Sequence, residues 1–269
     1  MTNKTAKVNG AVFGREFASI YNDKWETLGA FLWPFLHRQV SRRNRSASTW
    51  LDLCCGTGLF MKVVAQHGYA VTGVDLSPHQ IEHARRNLPD AELLVQDIRS
   101  LKLNRRFDVV SCMHDSLNYL TQEKELLQAF RKVRTCLSPG GLFLFDMLTP
   151  KGGDTFWSGT SAYHDQDVTL LFEGKFDRET ALGRYRITGF VKDGELYRRF
   201  REEHCQRGYS GEEIERFLAD AGFSFNKYDG HTAGRAGKRS ERLLYVCQEA
   251  AVAAVGRRNK AQANGGIRR

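Results

Sequence analysis

A chain of 269 residues that is 41% hydrophobic and 11% aromatic holds enough apolar material for one large domain, or for a domain with an insertion. No apolar run is long enough to span a bilayer and the N-terminus lacks a signal-peptide core, so no membrane partner and a cytoplasmic location are expected. The net charge of +9 points to nucleic acid only through the ends of the chain: Lys4, Lys7, Arg257, Arg258, Lys260, Arg268 and Arg269 lie in tails without acidic residues, which leaves +2 for the middle.

In chain order, residues 1–11 are polar and expected to be mobile. Residues 13–40 carry a helical pattern of Phe17, Ile20, Tyr21, Trp25, Leu28, Leu32 and Phe35, which Pro34 should kink or divide. Residues 42–46 form a basic, solvated connector. The stretch Trp50-Leu51-Asp52-Leu53-Cys54-Cys55-Gly56-Thr57-Gly58 then reads as a strand and a tight glycine turn, with an amphipathic helix over 59–67. A second strand, Val71-Thr72-Gly73-Val74-Asp75, and a third, Leu93-Leu94-Val95-Gln96-Asp97, also end in carboxylates. Between them Ser77 caps a helix that Pro78 begins and that runs to about Leu88. A fourth strand covers 107–113, a helix 123–137, and a buried fifth strand 142–147 after Pro139-Gly140-Gly141.

The helical rhythm then stops. Three strand-like runs, at 168–176, 182–191 and 197–206, are separated by turns and predict a small antiparallel insertion after the fifth strand. A helix over 210–221, capped by Ser210 and ended by Gly222, precedes a closing antiparallel pair at 223–229 and 242–248. The expected organisation is an N-terminal helical segment with a mobile start (1–45), a core holding the glycine loop (46–150), the insertion as a substrate lid (151–209), the rest of the core (210–249) and a disordered basic tail (250–269).

A glycine loop that opens a helix offers unpaired N–H groups and close approach to the main chain. In a doubly wound sheet, such a loop after the first strand is where nucleotide-like cofactors bind. Asp75 would accept from ribose hydroxyls and Asp97 from an adenine amino group. The rival is an NAD site of the Gly-x-Gly-x-x-Gly type, which needs a small residue where this chain has Met61. Six scattered cysteines show no zinc spacing, so no metal is expected, and Cys54 and Cys55 read as reduced packing residues.

In Asp52 to Gly58, Val74-Asp75, Gln96-Asp97-Ile98, Phe107-Asp108-Val109-Val110 and Leu137-Ser138-Pro139-Gly140-Gly141, the sequence resembles the class I S-adenosylmethionine (SAM) methyltransferases. The resemblance covers about 13–248 and departs at Cys54, where the family usually has glycine; a small side chain is expected to keep the loop's shape. It implies an α/β, Rossmann-like seven-stranded sheet with helices on both faces. It also implies SAM as cofactor and S-adenosylhomocysteine as product, held by Asp52, Cys54, Gly56, Thr57, Gly58, Asp75, Leu76, Asp97, Ile98 and Met113. The resemblance also implies that the N-terminal helical segment (1–45) lies over the cofactor as a lid, in which Tyr21 falls where many members carry a tyrosine near the methionine end of SAM; its alternative is one more aromatic on a buried face.

Acceptor-side residues should follow the fourth strand, in Cys112-Met113-His114-Asp115-Ser116-Leu117-Asn118-Tyr119. This segment resembles that of the sugar-amine N,N-dimethyltransferases, which carry a His at the place of Tyr119; with Tyr there, and with His114 and Asp115 in place of less polar residues, the acceptor stays open. His114 is the candidate base, since imidazole titrates near neutrality, with Asp115 orienting it or accepting protons itself. Contact with the methionine part of SAM, or a strand cap, is the other reading of His114. Tyr119 would bind the acceptor and assist catalysis, or begin the next helix.

On the third insertion strand, alternation places Arg199, Arg201, Glu203 and Arg207 on one face, and Phe200, Glu202, His204 and Gln206 on the other. Arg199, Arg201, Glu202 and His204 are candidates for acceptor binding; a solvated face or a homodimer interface through the insertion is the alternative. The functional expectation is methyl transfer to nitrogen or oxygen of a small molecule. An RNA or protein methyltransferase, or a SAM-binding protein without transfer, are the rivals.

Overall fold

The computed structural model describes residues 13–24 and 28–250. The readings made for Trp25 and for both basic tails lie outside the described residues. The main sheet joins β1 (Thr49–Leu53), β2 (Ala70–Asp75), β3 (Glu92–Val95), β4 (Phe107–Cys112), β5 (Leu137–Leu148), β10 (Phe223–Asp229) and β11 (Arg242–Glu249). Its order is β10-β11-β5-β4-β1-β2-β3, parallel except where β11 runs antiparallel to both β5 and β10. The chain winds outward from β1 through β2 to β3, then returns to place β4 on the other side of β1. Loops leaving β1 and β4 therefore diverge and open a crevice at the carboxyl edge.

Strand alternation explains why the apolar runs are nearly continuous. Trp50, Val109, Leu142, Leu144, Leu244 and Val246 face one layer, with Leu32, Trp33 and Leu36 of α2 (Leu28–Arg43) and Phe60 and Val64 of α3 (Leu59–Gln66). Their neighbours Leu51, Val110, Phe143, Phe145 and Tyr245 face the opposite layer, with Leu126, Phe130 and Val133 of α5 (Glu123–Thr135) and Ile214, Phe217 and Leu218 of α7 (Gly211–Asp220). The α4 helix (Pro78–Asn87) starts at the expected Ser77, whose hydroxyl accepts from Gln80 N–H. Ser210 and Glu213 form a reciprocal capping box on α7. The seven-stranded sheet with helices on both faces is the expected architecture.

Four local expectations are corrected. Pro34 lies inside α2 and does not divide it, because it faces outward while Leu32, Trp33, Phe35 and Leu36 are buried around it. The helix before β5 ends at Thr135, not 137, and β5 starts at Leu137, since Leu137 pairs with Phe107 and the Pro139–Gly141 stretch is taken up as a register shift. A short helix, α6 (Pro150–Phe156), follows β5; its two glycines hid it. The insertion has four strands, not three: β6 (Gly159–His164), β7 (Val168–Asp177), β8 (Leu182–Asp193) and β9 (Leu196–Arg207), in that order and antiparallel. The β6 strand is exposed at nearly every position, so it carries no apolar alternation to read.

Trp157, between α6 and β6, is buried against Leu148 and Phe176 and joins the insertion to the main sheet. The α1 helix (Arg15–Lys24) packs Phe17 and Ile20 against Val168, Leu170 and Ile187 of the insertion and also contacts α4. It therefore spans the crevice. No helix among the described residues is long and apolar enough to cross a membrane.

Candidate active site

The crevice encloses a cavity of about 2040 Å³ between the loops after β1–β4, α1 and the inner face of the insertion. On the β1 side, Cys54, Gly56 and Gly58 adopt φ values of 54°, 56° and 79°. Cys54 thus keeps the left-handed turn without glycine, a conformation that costs an L-residue about 1–2 kcal/mol. Gly56 N–H and Ser77 N–H donate to the two oxygens of Asp75 at 2.9 and 2.8 Å, tying the loop to the end of β2. Burial pushes the Asp75 carboxyl above its usual range, and these N–H groups only partly offset it.

Asp52 is 3% exposed and accepts from Ser111 Oγ at 2.5 Å, while Ser111 Oγ accepts from Trp50 Nε1 at 2.7 Å. Burial pushes the Asp52 carboxyl up to about 7, against the Ser111 hydrogen bond and with help from the Asp75 charge. Beside the loop, Thr57 and Gln80 line the cavity, and Thr57 Oγ1 and Gln80 Oε1 are buried with no hydrogen-bond partner. Buried polar atoms of this kind normally find a partner. Their position, with two carboxylates and a left-handed loop, fits a cofactor bearing hydroxyl and ammonium groups.

Ile98 and Met113 form apolar wall and Leu76 is exposed along the same cavity. Asp97 lines it too, but its oxygens accept from Arg99 Nε at 3.0 Å, and Arg99 also reaches Glu125 at 2.8 Å. The Arg99 hydrogen bonds hold the Asp97 carboxyl below its usual range.

On the β4 side, His114 and Asp115 have φ values of 63° and 48°, two consecutive non-glycine residues in the left-handed region. Their N–H groups donate to Asp146 of β5 at 2.7 and 3.1 Å. Arg242, the first residue of β11, donates to Asp146 and to Asp115, the latter at 2.7 Å. His114 Nδ1 lies 3.2 Å from the Tyr21 hydroxyl of α1. Burial lowers the His114 pKa, opposed by Asp146 and Asp115, so the ring is neutral at pH 7. Burial likewise pushes the Tyr21 phenol up, which keeps it a hydroxyl.

Tyr119, on a 3-10 turn over Ser116–Tyr119, joins this loop to the insertion. Its hydroxyl lies 2.8 Å from His204 Nδ1 and 3.1 Å from the Tyr185 hydroxyl. Tyr185 donates to Gln206 Oε1 at 3.0 Å, and Gln206 Nε2 donates to Asp115 Oδ2 at 3.0 Å. His204 Nε2 sits 3.3 Å from Glu202 Oε2, an ion-pair separation without the alignment of a hydrogen bond. Glu202 in turn accepts from Phe13 and Gly14 N–H at 3.0 and 2.6 Å.

The structure therefore brings together Tyr21, His114, Asp115, Tyr119, Glu202 and His204. It does not bring Arg199 to them: Arg199 lies on the exposed face of β9 and does not line the cavity. Arg201 is on that same outer face, paired with Glu203, at the cavity rim. Sequence reasoning missed Asp146, Arg242 and Tyr185. Asp146 carried a signal, being the one acid inside the apolar run Leu142–Leu148, where a charge requires a partner. Its partner, 96 residues away in sequence, carried none.

The sheet order and the loop after β1 define a Rossmann-like α/β protein with its crevice at the topological switch point. Residues 51–141 match the family model described as "Methyltransferase domain". "Putative methyltransferase YqeM" of Bacillus subtilis is 30% identical over 240 residues, covering 87% of this chain and 96% of that protein. The dTDP-3-amino-3,4,6-trideoxy-alpha-D-glucopyranose N,N-dimethyltransferase of Streptomyces venezuelae is 29% identical, covering 73% and 84% respectively. Among solved structures, a SAM-dependent methyltransferase from Clostridium acetobutylicum superposes with a TM-score of 0.79 at 29% identity, over 88% of this chain and 98% of its own. The chain belongs to the SAM-dependent methyltransferase family.

Proposed function

We propose that this protein binds SAM on the β1 side of the crevice and methylates a nitrogen or oxygen of a small molecule on the β4 side. The observation that carries the reading is the pairing of the two loops across one cavity. A left-handed turn with unpartnered Thr57 and Gln80 faces a polar loop bearing a neutral His114, and the insertion and α1 cover both. SAM supplies a methyl group already activated on sulfur.

The protein's part is to orient the acceptor, exclude water and take a proton. Orientation alone contributes about 7–11 kcal/mol in well-aligned reactions. Asp75, on the cavity, accepts from ribose hydroxyls, and the exposed apolar surface of Leu76 meets a planar base. Asp52 offers a buried negative charge to an ammonium or sulfonium. Asp97, already committed in part to Arg99, keeps lone pairs for an adenine amino group. On the acceptor side the His114 ring takes the proton, with Tyr21 against its Nδ1. Tyr119 and His204 form the far wall.

Likeness to the amino-sugar enzyme supports a small acceptor, as does a cavity roofed by its own insertion. A homodimer through the insertion belongs to the same proposal, since β6 and β9 are the sheet's two edges; sedimentation of the full chain tests it. The deciding experiment for the function is calorimetry with SAM and S-adenosylhomocysteine, followed by transfer of labelled methyl into a fractionated native extract. Saturable binding with label in the small-molecule fraction is expected. Label in RNA or protein would overturn the acceptor class, and absence of cofactor binding would overturn the proposal.

A further inference from the structure

Asp146 is wholly buried in a strand packed on both faces. A carboxylate in such a place is costly unless its lone pairs are taken up. They are taken up by Arg242 and by two successive N–H groups, those of His114 and Asp115. Successive N–H groups aimed at one anion are a familiar way to hold a bound ligand. Here the anion is the protein's own.

The turn so held is strained. Two adjacent side-chain-bearing residues sit in the left-handed region, which such residues enter at a cost and leave unless the surroundings hold them. Arg242 closes the arrangement from the other side. One arm of its guanidinium meets Asp146, and the other meets Asp115 Oδ1 at 2.7 Å, while Gln206 of the insertion takes Asp115 Oδ2 at 3.0 Å. A planar, pre-organised fork serves two carboxylates at once, which a lysine ammonium on a flexible stem does not.

The stem of Arg242 is itself fixed. It is 9% exposed, and Gly230 packs flat against it: a Cβ on Gly230 would lie 2.4 Å from Arg242 Cγ. Gly230 N–H also donates to the Arg242 carbonyl at 2.8 Å.

We infer that Arg242 is a positioning residue for the acceptor-side loop: by bridging Asp146 and Asp115 it holds the left-handed pair His114–Asp115 and so aims the His114 ring, with Gly230 keeping the bridge in place. Its functional weight rests on the reading of that loop as the acceptor side. Without the fork the turn relaxes toward ordinary backbone conformations and His114 leaves Tyr21.

Amide hydrogen exchange on the full-length protein with S-adenosylhomocysteine tests this. In the wild type, the His114 and Asp115 amides should exchange slowly although they belong to a cavity loop. Arg242→Lys should speed both by about tenfold or more while β1 and β2 amides keep their rates, the mark of local rather than global opening. It should also shift the His114 ring titration and lower the rate of methyl transfer, with S-adenosylhomocysteine affinity changed by no more than about twofold.

Gly230→Ala, which alters no charge, should do the same more weakly, and decides the matter if Arg242→Lys does not fold. Fast wild-type exchange at both amides would overturn the inference. So would variants in which exchange rises equally across the sheet and the His114 titration stays put, because Arg242 would then be only a stabilising residue. A wild type with slow amides and no methyl transfer would remove the proposed function and leave the positioning role standing. Transfer with fast amides would do the reverse.

Discussion

The two loops that face each other across the crevice are built by opposite means. The loop after β1 is largely local: residues 52–58 carry its turn, Asp75 accepts from Gly56 and Asn87 donates to the Thr57 carbonyl, while the reach of Asp52 to Ser111 is its one long side-chain tie named above. The loop after β4 is assembled from the whole chain. Its backbone rests on Asp146, its carboxylate on Arg242 and Gln206, and its imidazole on Tyr21. A local loop is suited to a cofactor that does not change. A loop held from four distant elements can be re-aimed by changing any one of them, which suits the side that must fit a particular acceptor.

The sharpest way to break this contrast is at His114. His114→Gln should lower methyl transfer by about 10²–10⁴-fold while leaving cofactor affinity in place. Loss of cofactor binding instead, read by calorimetry, would move His114 to the cofactor side. Next in size is Asp75→Ala, which should weaken S-adenosylhomocysteine binding by about 1–3 kcal/mol through lost charged hydrogen bonds, with little effect on the acceptor KM; unchanged affinity would remove the ribose assignment.

The Asp52 carboxyl, raised to about 7 by burial, provides the pH test. A cationic cofactor favours its ionised form, so affinity should fall by up to about tenfold per pH unit below 7 and level off above it. Asp52→Asn should flatten that profile. The stability sign is fixed as well. A carboxyl raised above its unfolded value of 3.8 contributes stability below that value and loses it as pH rises through 7. The thermal midpoint of the ligand-free wild type should therefore drop relative to Asp52→Asn between pH 5 and pH 8, by scanning calorimetry. The smallest effect expected is at Cys54, where Cys54→Gly should relieve about 1 kcal/mol of left-handed strain without changing cofactor affinity.

The same contrast explains what was legible beforehand. Apolar alternation and glycine placement announce the individual strands and the β1 loop, because those depend on residues near one another in sequence, while the seven-stranded sheet they build was legible only through the family resemblance. Ser77 and Ser210 announced their helices for the same reason. The β4 loop announced its chemistry through His114, Asp115 and Tyr119 but not its support. Nothing near Arg242 in sequence tells that it will meet Asp146 and Asp115, and nothing in Gly159–His164 tells that an exposed edge strand will form. The inner face of β9 was readable by alternation, and Glu202, His204 and Gln206 do lie there. Arg199 was placed by the same alternation on the outer face, where its charge faces solvent.

Trp157 seats the insertion in a socket of glycines. Side chains at Gly153 and Gly183 would collide with its ring at 2.7 and 2.6 Å, and one at Gly174 with its carbonyl at 2.3 Å. The attachment works like a keyed joint: the indole fixes how the small sheet leans over the crevice, whatever the outward-facing side chains of β7–β9 are. An engineer seeking new acceptors can vary the strand positions that hold neither the β4 loop, as Gln206 does, nor the start of α1, as Glu202 does, as long as the key and its three-glycine keyhole are left alone.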